Sequence, residues 1–210
     1  GNWDVSNVTN FNELFHGASA FNQPLDDWNL TSGRNMQSIF RNASAFNQPI
    51  GNWDVSSITN FRRMFDEASS FNQNISDWNV SAGSDFQYAF HSSNALSDAN
   101  KAAIHYSFKG NPNWTTDWSS YVGSTPLTDS NFQTAVNLWF SDEANAIATY
   151  GHISDWNTSA VTNMGGAFRD RTDFNEDISN WDVSNVTNFS YMFNAAVEFN
   201  QDIGDWDVSS

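Results

Sequence analysis

The residues able to do chemistry in this 210-residue chain are mainly carboxylates and carboxamides, and their placement is regular. Each of seven tryptophans is flanked on both sides by Asn or Asp: Asn2 and Asp4, Asp27 and Asn29, Asn52 and Asp54, Asp77 and Asn79, Asp155 and Asn157, Asn180 and Asp182, Asp205 and Asp207. On an extended segment the flanking residues point away from the Trp, so stacked copies would line hard oxygens into two ladders on one face. Such a face suits calcium coordination or the hydroxyls of a sugar. A solvated face that keeps an array soluble would carry the same residues. The candidate binding set is Asp4, Asp27, Asn29, Asn52, Asp54, Asp77, Asn79, Asp155, Asp182, Asp205 and Asp207, with calcium as the metal it could take.

Other chemistry finds no constellation. His16, His91, His105 and His152 lack metal-ligand spacing, and no nucleophile elbow or phosphate loop is present. The absence of cysteine excludes disulfide scaffolds, thiolate metal sites and thiol nucleophiles. No enzyme activity and no cofactor is expected. Twenty-four acidic residues against eight basic ones give a formal charge of -16, which repels nucleic acid and anionic lipid. No apolar run approaches membrane-spanning length, and the opening Gly1-Asn2-Trp3-Asp4 is not a signal sequence, which places any export signal outside this sequence.

The elements that must position these residues are set by an internal repeat. Trp3, Trp28, Trp53 and Trp78 are 25 residues apart, and Trp156, Trp181 and Trp206 repeat the step. Eight residues after each Trp stand Phe11, Met36, Phe61, Phe86, Met164 and Phe189, and twelve after it Phe15, Phe40, Phe65, Phe90, Phe168 and Phe193. Eighteen Phe and ten Trp against six Leu make the core one of rings, so the in-register rings are expected inside and not on a sugar-stacking surface. Asn10, Asn35, Asn60, Asn163 and Asn188 form a further ladder, expected to bond backbone groups between coils.

Within one unit, Val8 to Ala18 places apolar groups at helical spacing with Thr9 as N-cap, predicting a short amphipathic helix. Trp3 and Val5 alternate with Asn2 and Asp4, the period of a strand. One strand and one helix per 25 residues predicts an α/β solenoid of leucine-rich-repeat-like, right-handed coils, the handedness following from the crossover preference of parallel strands. Units such as Phe46-Asn47-Gln48-Pro49-Ile50-Gly51-Asn52-Trp53-Asp54-Val55-Ser56 resemble the BspA-like surface repeats, 25-residue units also found in mycoplasma lipoproteins and related to leucine-rich repeats. The resemblance covers residues 1 to about 92 and 153 to 210. Departures occur at Ser32-Gly33-Arg34, at Ala82-Gly83-Ser84 and at Gly165-Gly166, where a glycine pair falls inside the expected helix. The resemblance implies a secreted or cell-surface location and adhesion or ligand binding without catalysis.

Between the blocks the period breaks. The chain divides into a four-coil block at 1–96, a helical C-terminal cap and linker at 97–126, a helical N-terminal cap at 127–152, and a second block at 153–210. Trp114, Trp118 and Tyr121 lie off register, either docked against the cap helix or forming a partner-binding patch. Gly204 to Ser209 nearly restates Gly1 to Ser6 at the same phase, so a tandem super-repeat of 203 residues is one reading and an ordinary boundary the other. The function expected is an extracellular, non-catalytic adhesion or ligand-binding module, with a structural fibre or spacer as the alternative. Its partners would be a protein or glycan on another surface, or other copies of the same array.

Overall fold

A computed structural model describes residues 3–209. The chain forms two compact units, Gly1–Ser120 and Tyr121–Ser210. Among the described residues there is no β-strand, and the three α-helices all lie between the repeat blocks: α1 (Asp98–Phe108), α2 (Phe132–Ser141) and α3 (Glu143–Tyr150). This overturns the expected α/β solenoid of strand-plus-helix coils. Each 25-residue coil is a succession of tight turns, and no strand–helix–strand crossover remains to support the right-handed assignment.

The stretch from Phe11 to Ala18 shows why no helix forms. The amides of Leu14, His16 and Ala18 donate to carbonyls three residues back, at 3.2, 3.0 and 3.0 Å, closing turns within the coil. Those of Phe11, Glu13, Phe15 and Gly17 donate instead to Asn35, Gln37, Ile39 and Arg41 of the next coil, at 2.8, 2.9, 2.9 and 2.8 Å. An α-helix bonds every amide to its own segment. Sending alternate amides to a neighbour needs a repeated backbone inversion, and Glu13 (φ 59°) and Gly17 (φ 72°) supply it. The same two phases are left-handed in the other coils, at Ser38 and Asn42, Arg63 and Glu67, Tyr88 and Ser92, Gly166 and Asp170, and Tyr191 and Ala195. Positive φ at the third residue of an i to i+3 bonded turn is the type II signature. Gly166 is therefore no departure from the repeat, because it occupies a position where glycine is the unstrained residue.

The expected strand at Trp3 and Val5 gives way to a turn in which the Val8 amide donates to Val5 O at 2.9 Å. Thr9 caps no helix, and its carbonyl accepts from the Arg34 amide at 2.8 Å. Parallel pairing survives only as isolated bridges, Asn10 with Asn35, Asn35 with Asn60, Asn60 with Asp85, and Asn163 with Asn188. At these bridges the side-chain oxygen serves its own coil: Asn10 Oδ1 accepts the Asn12 amide at 3.0 Å, Asn35 Oδ1 that of Gln37 at 2.9 Å, and Asn60 Oδ1 that of Arg62 at 3.0 Å. These Asx turns bend the chain into the first type II turn.

The rings fill the coil interior. Trp28, Trp53 and Phe65 are 6%, 3% and 0% exposed. Within a coil two Phe rings lie nearly parallel, as in Phe40 with Phe46 and Phe65 with Phe71, both at 3.8 Å between centroids. Between coils like stacks on like, with Trp28 to Trp53 at 6.1 Å, Trp53 to Trp78 at 6.2 Å and Phe40 to Phe65 at 5.7 Å, an offset geometry favoured by the ring quadrupole. Three buried indole N–H groups reach a carbonyl 28 residues back, at one repeat phase: Trp53 Nε1 donates to Leu25 O at 2.9 Å, Trp78 Nε1 to Ile50 O at 2.9 Å and Trp181 Nε1 to Ile153 O at 2.8 Å.

The helices end the stacks by imitating the next coil. In the first unit the Ser97 amide donates to Asn72 Oδ1 at 2.9 Å, as the Asn72 amide does to Asn47 Oδ1 at 2.8 Å. Asn100 Nδ2 then takes the place of a repeat Gln, donating to Asn72 Oδ1 at 2.8 Å. Trp114 packs edge-on against Phe86 and Phe108, and Trp118 sits 5.2 Å from Phe90, so both dock against the cap. In the second unit the Asp129 carboxylate accepts the amides of Thr162 and Asn163 at 2.7 and 3.1 Å. Phe132 and Phe140 cover the rings of the first coil beneath α2. The expected linker is thus shared, because the Gly123 and Thr125 amides donate to Ile147 and Thr149 carbonyls of α3.

The left-handed phases yield a clean test. A Cβ at Gly17 would meet nothing within 4 Å, so Gly17→Ala costs only its backbone strain, about 1 kcal/mol. Glu67→Gly relieves the same strain and is expected to be neutral or to stabilise by up to about 1 kcal/mol. Urea unfolding of both variants measures the pair, and equal losses in the two would refute the assignment.

Candidate binding face

All the sequence-predicted site residues lie exposed, and they fall into two columns with different chemistry. One column follows the Trp by one residue and is built from Asx turns. Asp4 Oδ1 accepts the amide and hydroxyl of Ser6 at 3.0 and 2.6 Å, and Asp54 Oδ1 those of Ser56 at 3.0 and 2.6 Å. Asn29 does the same with Thr31, and Asn79 Oδ1 accepts the Ser81 amide at 3.1 Å. In the second unit Asp182 holds Ser184, and Asp207 Oδ1 accepts the Ser209 amide at 3.1 Å. One oxygen of each acid in this column is therefore committed to its own turn.

The other column precedes the Trp and contains Asp27, Asn52 and Asp77 in the first unit and Asp155 and Asp205 in the second. Asn52 Nδ2 donates to Asp26 O of the previous coil at 3.2 Å. Asp4, Asp27, Asn29, Asn52, Asp54, Asp77 and Asn79 are thus exposed at two repeat phases of the first unit, and Asp155, Asp182, Asp205 and Asp207 at the same phases of the second. Asn2 lies outside the described residues. Among the described residues no group of three or more His, Asp or Glu side chains is placed to hold a metal ion.

Electrostatics match this division. The Ser hydroxyl and amide hold the carboxyls of Asp4, Asp54, Asp182 and Asp207 below the usual carboxylate value, while the Asp207 charge on the next coil partly opposes that lowering at Asp182. Hydrogen bonds to the charged form have this effect.

Sequence reasoning missed a second charged group. The Asp66 side chain is 3% exposed, with Arg41 Nε and Arg63 Nη1 each 3.3 Å away and His91 Nδ1 at 2.8 Å. Arg41, Asp66 and His91 share one repeat phase, thirteen residues after successive tryptophans, which is the signal that could have found them. The group clamps three coils together, and its acid is neutralised where it is buried. Glu176 was also passed over. It stands where Gln48 and Gln73 donate to Asn22 Oδ1 and Asn47 Oδ1 at 2.9 and 2.8 Å, and partial burial pushes its carboxyl up.

Two stability measurements follow from these groups. Because folding lowers the Asp4, Asp54, Asp182 and Asp207 values, their stabilisation is present above the ordinary carboxylate range and lost as pH falls through the lowered folded values. The melting temperature is expected to be flat in this respect above about pH 5 and to fall below it, and a variant carrying Asp54→Asn and Asp182→Asn should keep its turns, as Asn29 does, with a shallower acid slope. Glu176 has the opposite sign: its favourable protonated form is lost as pH rises above 4.5. Glu176→Gln should raise the neutral-pH melting temperature by about 1–2 °C, and a decrease would contradict the burial argument.

Residues 1–103 and 129–210 match a family described as Mycoplasma protein of unknown function, DUF285. No curated protein and no solved structure matches the chain. The family match takes in both blocks of coils and all three helices except the last residues of α1, and the chain belongs to this Mycoplasma repeat family.

Proposed function

We propose that the chain is a non-catalytic, extracellular binding module of the BspA-like surface type, whose acidic flank meets a protein or glycan on another surface. The observation that carries the proposal is the division of labour within each coil. The rings are consumed by the interior, the Asx turns hold the backbone, and the carboxylates of Asp27 and Asp77 stand exposed two coils apart, about 10 Å at about 4.8 Å per coil. Identical groups repeated at one short spacing suit many weak simultaneous contacts. No helix among the described residues is long and apolar enough to cross a membrane.

The test is adhesion of the 210-residue chain to a panel of immobilised glycans and basic proteins. Asp27→Lys and Asp77→Lys alter carboxylates outside the Asx turns and should leave the unfolding free energy within about 0.5 kcal/mol of the parent. Together they are expected to reduce adhesion about tenfold or more through lost multivalency, and EDTA is expected to have no effect. Adhesion unchanged in the double variant, or none by the parent to any surface, defeats the proposal.

A further inference from the structure

Where the first block of coils meets its cap, the structure leaves a cleft of about 340 Å³, lined by Trp78, Val80 and Ser81 of the fourth coil and by Ser107 and Pro112 of the cap. Its size lies within the range of small-ligand clefts, about 300–1,000 Å³. The cleft arises because α1 takes the place of a fifth coil. The 25-residue period would set the next indole at position 103, where the chain has the buried Ala103. The helix covers the apolar end of the block but does not continue the column of Asx turns, so that column stops at Asn79, on the wall of the cleft.

The polar groups of the cleft differ from their counterparts in other coils. The hydroxyls of Ser6, Thr31, Ser56, Ser159 and Ser184 each donate to the Asx oxygen two residues back, at 2.6–2.8 Å. The Ser81 amide makes the equivalent bond to Asn79 Oδ1 at 3.1 Å, but the Ser81 hydroxyl has no partner among the described residues, and neither has Asn79 Nδ2. Ser107 Oγ donates to Ser76 O, which fixes its rotor and leaves its lone pairs able to accept. The floor is rigid. Asn111 is buried, its Nδ2 donates to Val80 O and Gly83 O at 2.7 and 3.0 Å, and its Oδ1 accepts the Asn113 amide at 2.8 Å. A site held in this way gives up little freedom when a ligand enters.

We propose that this cleft binds a neutral sugar unit. A hydroxylated ring offers adjacent donors and acceptors to Asn79 Nδ2, Ser81 Oγ and Ser107 Oγ, and its C–H groups to Trp78, Val80 and Pro112. No charged residue lines the cleft, so a cationic ligand finds no counter-charge there. An anionic ligand approaches a chain of net charge -16. A purely apolar ligand would strip water from three polar side chains and return no hydrogen bond. The site uses no carboxylate, goes beyond the acidic flank and is independent of adhesion through Asp27 and Asp77.

The test is an NMR titration of the isotope-labelled chain with the methyl glycosides of glucose, galactose and mannose, read at the side-chain amides of Asn79 and Asn111. Saturable shifts with a dissociation constant of about 1 mM are expected for one or more of them. Ser81→Ala removes a hydroxyl that bonds nothing in the protein, so it should leave the melting temperature unchanged and weaken binding about threefold to tenfold. Ser56→Ala, whose hydroxyl is held by Asp54, should leave binding unchanged, as should Asp27→Lys. A Cβ at Gly110, on the wall of the cleft, would meet nothing within 4 Å, so Gly110→Leu adds bulk there without a clash and should abolish the saturable shifts. No saturable shift with any of the glycosides, equal binding of glucuronate or glucosamine, or parental affinity in Ser81→Ala overturns the proposal. Ser81→Ala decides the matter even where Gly110→Leu fails to fold.

Discussion

The structure depends on alternate backbone amides leaving the coil that carries them. Because every second N–H from Phe11 to Gly17 bonds the next coil, no coil satisfies its own backbone, and each requires a neighbour. The left-handed residues are the geometric cost of this arrangement. At Glu67 or Tyr191 it amounts to about 1–2 kcal/mol with no glycine to relieve it, and it is offset by four inter-coil bonds and by rings that stack on their counterparts in the next coil. Aromatic side chains suit this arrangement better than leucine would, because flat rings repeat at a short, fixed spacing without interdigitating.

The same dependence explains the caps. An uncovered coil end exposes either four donors or four acceptors together with a face of rings. Helix α1 answers the C-terminal face of the first block with polar groups that reproduce the repeat's own pairing, Ser97 and Asn100 standing for the Asn and Gln of another coil. At the start of the second block the Asp129 carboxylate plays the part of a carbonyl from a preceding coil. Capping here is chemical mimicry of the repeat as well as coverage of its apolar face.

The exposed acids serve two ends. In the column after the Trp, one carboxylate oxygen is tied to a Ser or Thr two residues on, so Asp and Asn are interchangeable there and the column is primarily a turn device. In the column before the Trp, Asp27 and Asp77 carry charge without that duty. A net charge of -16 spread over coil flanks also discourages lateral association of flank with flank.

Much was legible in the sequence: the 25-residue period, the identity of the buried rings, the break between blocks and the helices that fill it. These follow from residue type and spacing alone, since burial recurs at each period. The secondary structure of the coil was not legible. Val8, Phe11, Phe15 and Ala18 recur at intervals of three and four, which is the spacing of a helix face and equally that of successive four-residue turns with an apolar corner. The side-chain pattern is the same in both; the difference lies in where the amides point, and that is set by the neighbouring coil. Glu13 and Arg63 gave no hint of positive φ, because their conformation is imposed by bonds to residues 24 positions away. The Asp66 clamp escaped notice for the same reason, since its three partners converge only once coils are stacked in register. Local residue type determined what is buried, and contact between coils decided the path of the backbone.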